Sequence, residues 1–539
     1  MSTTDYRDKR FLIVDSLKPS RDVLKKFAFN LEPEVVEASG YANDIVLRCS
    51  ENHYDVLLLG YDLGESQKNG QQLLEELRTN GLINRQSIVI LITAENSQSM
   101  VLAALEHKPD DYLTKPYRIK DLLDRLDRCY KKKRRMEPIY KALDNKSPSA
   151  AIQLCDEAIK NNTPYVHECY GIKSRQLFEQ DKLREAADIY YRFETERNCQ
   201  WATIGLGKIA LKKEKYPEAI SYFANLIDRH PLYLSSYDWL ATTYENIEQY
   251  IKAQEVLEEA IKLSPLSVKR LERYAKLCLD NGDFAKATKA FDQNYQLSCN
   301  SIHHKPENAF NFSHALNQLA SDLSDYQLKL KKNRVVNALS ETNKTFNQLG
   351  VKLQSHLHTV RLMLKTHDEY DARRLLGSTE TLIEKVSDEL DSKALVGLSK
   401  LLVELDRKGT ANELIAQLVE KDPDNVQAII ELDSICDDSL RKEDQAVAQN
   451  AISLAIKHFR AQDYGKSLSG LKAAMQLYPN HIGIKLNTIQ VLLALYKESG
   501  KQQRLGEASK LLSSLVGLPT SHTGYHRYKL LEKQYNSLK

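Results

Sequence analysis

A spacing of 34 residues constrains this chain more than any other feature. Aligned on itself at that offset, it places Ala219, Ala253 and Ala287 in one column and Phe223, Leu257 and Phe291 in another. The same offset lays Leu206-Gly207 over Leu240-Ala241 and Tyr274-Ala275, and Pro231 over Pro265. Two helix axes approach closely only where no bulky side chain stands between them, so a column of small residues marks a helix crossing. Proline has no amide hydrogen with which to continue a helix, so its recurrence marks where one helix pair ends. Such a segment folds as a stack of helix pairs, each resting on its neighbours.

Period and columns together are similar to the tetratricopeptide repeat family. Weaker copies flank the clear ones: Ala151 to Cys155 and Ala186 to Tyr190 upstream, then Ala411 with Pro423, Ser467 to Leu471 with Pro479, and Ala508 with Leu512 downstream. Residues 301–391 align poorly, yet long helical runs are expected over 313–332 and 335–365, with Leu316, Leu319, Leu323 and Tyr326 at helical spacing. Degenerate repeats or an inserted helical hairpin are expected there.

The first quarter of the chain follows a different rule. Apolar strand candidates at 11–15, 35–38, 55–60, 88–93 and 111–113 alternate with helical patterns at 21–30, 41–50, 71–80, 97–106 and 119–132. Alternation of this kind describes a parallel sheet covered on both faces, a doubly wound α/β fold. In such folds the functional residues gather at the carboxyl ends of the strands, which brings Asp15, Gly60, Thr93 and Lys115 to one edge.

Those residues carry a second resemblance. The stretches 54–64, Ile92-Thr93-Ala94-Glu95 and 110–117, the last containing Lys115-Pro116, are similar to the response-regulator receiver family, with a flavodoxin-like fold. In that family a pair of acidic residues after the first strand and an acceptor aspartate on the third hold a divalent metal, while a hydroxyl and a lysine contact the phosphoryl oxygens. Here the acidic pair reads Asp15-Ser16 and the acceptor position is Gly60. Magnesium needs hard oxygen ligands, and phosphoryl transfer needs both metal and nucleophilic oxygen. The resemblance therefore implies a receiver without its acceptor, with Asp15, Ser16, Gly60, Thr93 and Lys115 as a vestigial pocket. No cofactor is expected; Mg2+ has only Asp15 to bind. Asp62, on the loop two residues on, is the candidate substitute acceptor. Tyr112 matches the family's switch aromatic, or is a half-buried strand tyrosine. Lys115 pairs with Asp15 if no acidic cluster holds it elsewhere.

Composition fits a folded two-part chain: 539 residues, 42% hydrophobic and 28% charged, exceed one ordinary core. With 14 prolines and 20 glycines there is too little for a flexible linker, so continuous helix is expected at the junction. Four segments are expected: a pseudo-receiver at 1–133, tetratricopeptide repeats at 134–300, the long-helical segment at 301–391 and repeat-like helices at 392–539. The absence of a membrane-length apolar run or signal-peptide core places the expected location in the cytoplasm. The 8 cysteines form no Cys-x-x-Cys pair and read as packed, reduced thiols.

A net charge of +3 argues against a globally basic nucleic-acid binder. The basic run 131–135 reads as a solvated helix end. Segment 301–365 has nine Lys or Arg against four Asp or Glu, and His303, His304, His314, His356 and His358, which read as surface histidines rather than a metal site. No nucleophile–base set, Walker loop or dinucleotide motif is present, so no enzyme is expected. The leading expectation is a bacterial two-component-type adaptor whose repeats bind a protein, such as a histidine kinase or an output protein, with a homodimer through the receiver as a further option. The alternatives are a phosphorylation-controlled regulator using Asp62, and an RNA-binding solenoid using 301–365, which lacks interleaved aromatics.

Overall fold

The computed structural model describes residues 4–64, 67–94, 97, 101–102, 106, 108–196, 199–421, 442–478, 481–516 and 525–538. Strands β1 (Arg10–Val14), β2 (Val35–Ser39), β3 (Val56–Gly60), β4 (Ile88–Thr93) and β5 (Asp111–Thr114) form one parallel sheet in the order β2-β1-β3-β4-β5. β3 and β4 are buried along their whole length, as strands covered on both faces must be. Alternate residues divide between two cores. Leu12, Val14, Leu57, Leu59, Val89 and Leu91 pack with Ile45 and Leu74 on one face. Phe11, Ile13, Leu58, Ile90 and Ile92 pack with Leu24, Phe27, Leu122 and Leu126 on the other.

Three helices of this part are α1 (Lys18–Phe29), α2 (Ala42–Glu51) and α3 (Gly70–Thr79). The start of α3 is fixed by a capping box in which Asn69 and Gln72 satisfy each other's backbone amides. Of the helix expected over 97–106, only residues 97, 101–102 and 106 are among those described.

Helix α4 (Ile119–Asp144) runs for 26 residues and belongs to two cores. Its first half lends Leu122, Leu126 and Cys129 to the sheet, and its second half lends Met136, Ile139 and Tyr140 to a cluster with Cys155, Cys169 and Ile172. The continuous helix expected at the junction is present. The basic run 131–135 is therefore not a helix end but lies mid-helix, because the apolar stripe resumes at Met136 and carries the helix on. Lys133 bonds Asp110 Oδ1 at 2.7 Å and the Arg85 carbonyl at 2.6 Å, and Lys132 reaches Glu168 at 2.7 Å.

Helix pairs follow: α5 (Pro148–Lys160), α6 (Val166–Glu179), α7 (Leu183–Phe193), α8 (Gln200–Lys212), α9 (Tyr216–Arg229), α10 (Leu234–Asn246), α11 (Tyr250–Leu263), α12 (Val268–Asp280), α13 (Phe284–Ser298) and α14 (Pro306–Leu319). The repeat columns are inside: Ala219, Ala253, Ala275, Ala287, Phe223 and Leu257 are fully buried, and Phe291, Leu206 and Leu240 nearly so. Gly207 shows why its column must be small, since a Cβ there would collide with the Phe223 ring. Within successive pairs the turn is made by a left-handed residue, Asp181, Glu214, Glu248 and Gly282 in order.

Compact packing divides the chain between Ser321 and Asp322. The sheet and the repeats up to Ser321 thus form one unit, a coarser division than boundaries at 133 and 300. The second unit contains α15 (Asp325–Phe346), α16 (Leu349–Lys365), α17 (Glu369–Val386), α18 (Ser392–Glu404), α19 (Lys408–Lys421), α20 (Lys442–Arg460), α21 (Tyr464–Leu477), α22 (Ile482–Ser499), α23 (Gln502–Ser513) and α24 (Tyr525–Leu538).

Neither long run expected in 301–391 is one helix. Ser324 caps a new helix with Gln327, breaking 313–332, and Asn347 in the left-handed conformation ends α15, breaking 335–365. Leu316 and Leu319 are buried, but Tyr326, on the next helix, is 73% exposed. The histidines are not surface residues: His358 is buried, and His303 and His304, in the turn before α14, and His314 and His356, on helices, are partly buried. Ala411, Ser467 and Ala508 are buried; Pro423 and Pro479 lie outside the described residues.

Candidate functional site

At the carboxyl edge of the sheet, Asp15 is 2% exposed and its carboxylate is fully engaged. Oδ1 accepts the Leu17 amide at 3.0 Å; Oδ2 accepts the Ser20 hydroxyl at 2.7 Å and Lys115 Nζ at 2.6 Å. Lys115 also donates to Ser20 Oγ at 3.0 Å, closing a three-membered network. Arg21 Nη1 donates to the carbonyls of Asp15 and Ser16 at 2.6 and 2.8 Å, holding the turn after β1. Burial pushes the Tyr117 hydroxyl up to about 12, and the negative charge of Asp15 adds to the effect.

Gly60 ends β3 beside this network. A Cβ built on it would lie 3.0 Å from the Val14 carbonyl oxygen and 3.4 Å from Asp15 Cγ, so a side chain there would point at Asp15. Ser16 donates to the Asp62 carbonyl at 3.0 Å, tying the β1 and β3 loops together. Asp62 is exposed, and its Oδ1 accepts the Gly64 amide at 2.9 Å. Thr93 is buried at the end of β4, and its carbonyl accepts the Lys115 amide at 2.7 Å. Tyr112 is half-buried against the core that holds Leu57 and Leu59. Asp15 and Lys115 therefore meet directly, whereas Asp62 faces solvent. Ser20, Arg21 and Tyr117 escape a reading of strand ends, because they lie a few residues beyond them.

Residues 11–127 match the family described as the response regulator receiver domain. The first 127 residues thus contain a receiver domain. Residues 133–267 match the N-terminal TPR repeats region of Psidin. Among solved structures, the chain is similar to the Francisella response regulator 1452 receiver domain, at 26% identity over 23% of this chain and 98% of that one, TM-score 0.21. It is also similar to a CheY-like receiver protein from Methanospirillum hungatei JF-1, at 23% identity over 24% and 97%, TM-score 0.22. A MamA RS-1 double mutant matches at 19% identity over 31% and 93%, TM-score 0.26. Receiver domains and TPR repeats are modules of signalling and of protein–protein interaction. No helix among the described residues is long and apolar enough to cross a membrane.

The receiver rests on the repeats through a charged ledge. Arg270, at 6% exposure, grips Asp238 with two bonds of 2.9 Å and reaches Glu106 of the receiver at 2.9 Å. Burial alone would lower the Arg270 pKa, but the two carboxylates outweigh it and hold the guanidinium firmly charged. On α3, Glu75 meets His303 Nε2 at 2.9 Å and Lys269 at 3.2 Å, and Gln72 donates to the Leu297 carbonyl at 2.9 Å. Leu102 packs with Leu234, Tyr237 and Ala260. A cleft of about 370 Å³ remains beside α3, lined by Gln71, Glu75, Arg270, Arg273 and His303 among others.

Proposed function

We propose that this chain is a two-component-type signalling adaptor, not an enzyme, in which a receiver that is not phosphorylated is docked on its own repeats, and the repeats bind a protein partner. The observation that carries this reading is the saturation of Asp15: both carboxylate oxygens already have partners within 3.0 Å, including Lys115, and Gly60 beside it supplies no oxygen. A metal ion and a phosphoryl group would each have to break that network, with no nucleophile to gain. The receiver is then a docking surface, and Arg270 and Glu75 are its fixed contacts with the repeats.

Partners that suit such repeats are proteins of a two-component pathway, such as a histidine kinase or an output protein, recognised by extended or helical segments laid along stacked helices. The test is incubation of the full chain with acetyl phosphate and Mg2+, read by intact mass. Unchanged mass supports the reading. A phosphoryl adduct that vanishes in Asp62→Ala would establish the alternative, a regulator using the exposed carboxylate of Asp62 as acceptor.

A further inference from the structure

His167, Glu196 and Cys199 converge where two successive helix pairs meet. His167 is the second residue of α6, Glu196 lies in the turn after α7, and Cys199 is the N-cap residue of α8. His167 Nδ1 is 3.2 Å from Glu196 Oε2 and 3.5 Å from Cys199 Sγ, and Sγ is 3.8 Å from Oε2. Among the described residues this is the one gathering of three such donors within reach of a single ion.

The three separations can be compared with the edges of a zinc tetrahedron. With Zn–N and Zn–O near 2.0–2.2 Å, Zn–S near 2.3 Å and tetrahedral angles, the N···O edge is about 3.3 Å and the edges to sulfur about 3.5 Å. The observed triangle differs from that by at most a few tenths of an ångström. Donor chemistry narrows the ion further. Thiolate and imidazole select zinc and its neighbours over Mg2+ and Ca2+, which require oxygen.

We propose that His167, Glu196 and Cys199 bind one Zn2+ ion, leaving a fourth coordination position open to solvent. The surroundings suit a metal ligand set. Cys199 is buried, while the His167 and Glu196 side chains are 60% and 45% exposed, so an ion enters from the surface and meets the sulfur at the bottom. Phe193 packs edge-on against the His167 ring at 5.5 Å and is itself held by a tilted contact with Trp201 at 5.5 Å, restricting the imidazole's orientation. The ion would clip α6 to the entry of α8. The inference does not rest on the state of the receiver, and it revises the expectation that the cysteines are packed thiols alone.

The test uses the full, untagged chain titrated with Co2+ and then Zn2+. One equivalent of Co2+ should give a near-ultraviolet thiolate charge-transfer band with intense tetrahedral visible bands, displaced by Zn2+. Cys199→Ser should abolish the charge-transfer band. His167→Asn, at an exposed position that leaves the fold intact, should weaken Zn2+ binding at least ~10-fold, as loss of even an outer-sphere partner does. Absence of the band in the wild-type chain overturns the proposal. So does a band that persists unchanged in His167→Asn, which would place the ion on other residues.

Discussion

Gly70 stands directly over the carbonyl oxygen of Gly60, so close that a Cβ on residue 70 would collide with it. The amide of Gly70 also donates to the Tyr61 carbonyl at 2.7 Å, so the start of α3 is drawn down onto the end of β3. With the backbone of residue 60 held from that side, a side chain placed there has to fit against Val14 and Asp15, whose nearest atoms lie 3.0–3.4 Å from its Cβ. Gly60→Asp with Ser16→Asp would place two further carboxylates beside Asp15, three in all, and like charges this close are unfavourable without a cation. The double variant should melt below the wild-type chain in chelator and recover with millimolar Mg2+, read by thermal unfolding. A melting temperature indifferent to Mg2+ would show that the edge no longer admits a metal.

Arg270 tests the docking of receiver on repeats. Removing one partner from a buried ion cluster costs about 3–5 kcal/mol, because the remaining charges stay desolvated. Arg270→Met leaves the charges of Asp238 and Glu106 without their cation, and because the Asp238 side chain is 39% exposed and can be rehydrated, it should destabilise the first unit by less than that, about 1–3 kcal/mol in denaturant unfolding. Lys269→Ala should change stability by less than about 1 kcal/mol, since the Lys269 side chain is 74% exposed and its pair with Glu75 is solvent-screened. Equal effects from the two variants would contradict this ranking.

Ala253 sits fully buried in α11, in the column where helices cross. Ala253→Leu should overpack that crossing at a cost of about 1–3 kcal/mol. Because receiver and early repeats share one compact unit, the loss should appear in a single unfolding transition that includes the sheet. A receiver transition left at its original temperature would show two independent folding units.

The left-handed turn residues offer a test at the surface. Gly282 has φ 79° and makes the same turn as Glu248 at φ 58° and Glu214 at φ 57°. An L-residue pays roughly 1 kcal/mol to sit there, while glycine does not. Gly282→Ala should lower stability by about 1 kcal/mol, and Glu248→Gly should raise it by a few tenths of a kcal/mol after the entropy glycine adds to the unfolded chain. Chemical denaturation of both variants measures the sign.

Continuous apolar runs and the 34-residue period made the strands and the repeat columns legible, because each rests on local sequence spacing. Ile88–Thr93 falls where its apolar run predicts, and Ala219, Ala253 and Ala287 are buried as their column requires. Contacts across long sequence distance were not legible. Glu106 and Arg270 are separated by 164 residues, and neither carries a local signal of the other. His167 and Cys199 likewise meet only because one helix pair stacks on the next. The helix breaks at Ser324 and Asn347 were hidden by continuing apolar periodicity on both sides; a capping pair, Ser324 with Gln327, was the available clue. At the strand edge, Asp15 and Lys115 could be paired from topology, but Ser20 and Arg21 could not.

Helix α4 has one further consequence. Its near end is embedded in the sheet by Leu122 and Leu126, its far end is embedded in the repeats by Ile139 and Tyr140, and Arg85 grips Asp144 at its last turn. At 1.5 Å per residue it is a rod of about 39 Å with a load at each end. A twist or slide at one end is carried toward the other, with Pro138, which has no amide hydrogen to give the helix ladder, as the place along it where the backbone can bend. Mechanically the first unit resembles an axle more than a tethered pair, and a cut along that axle leaves both of its cores unfinished.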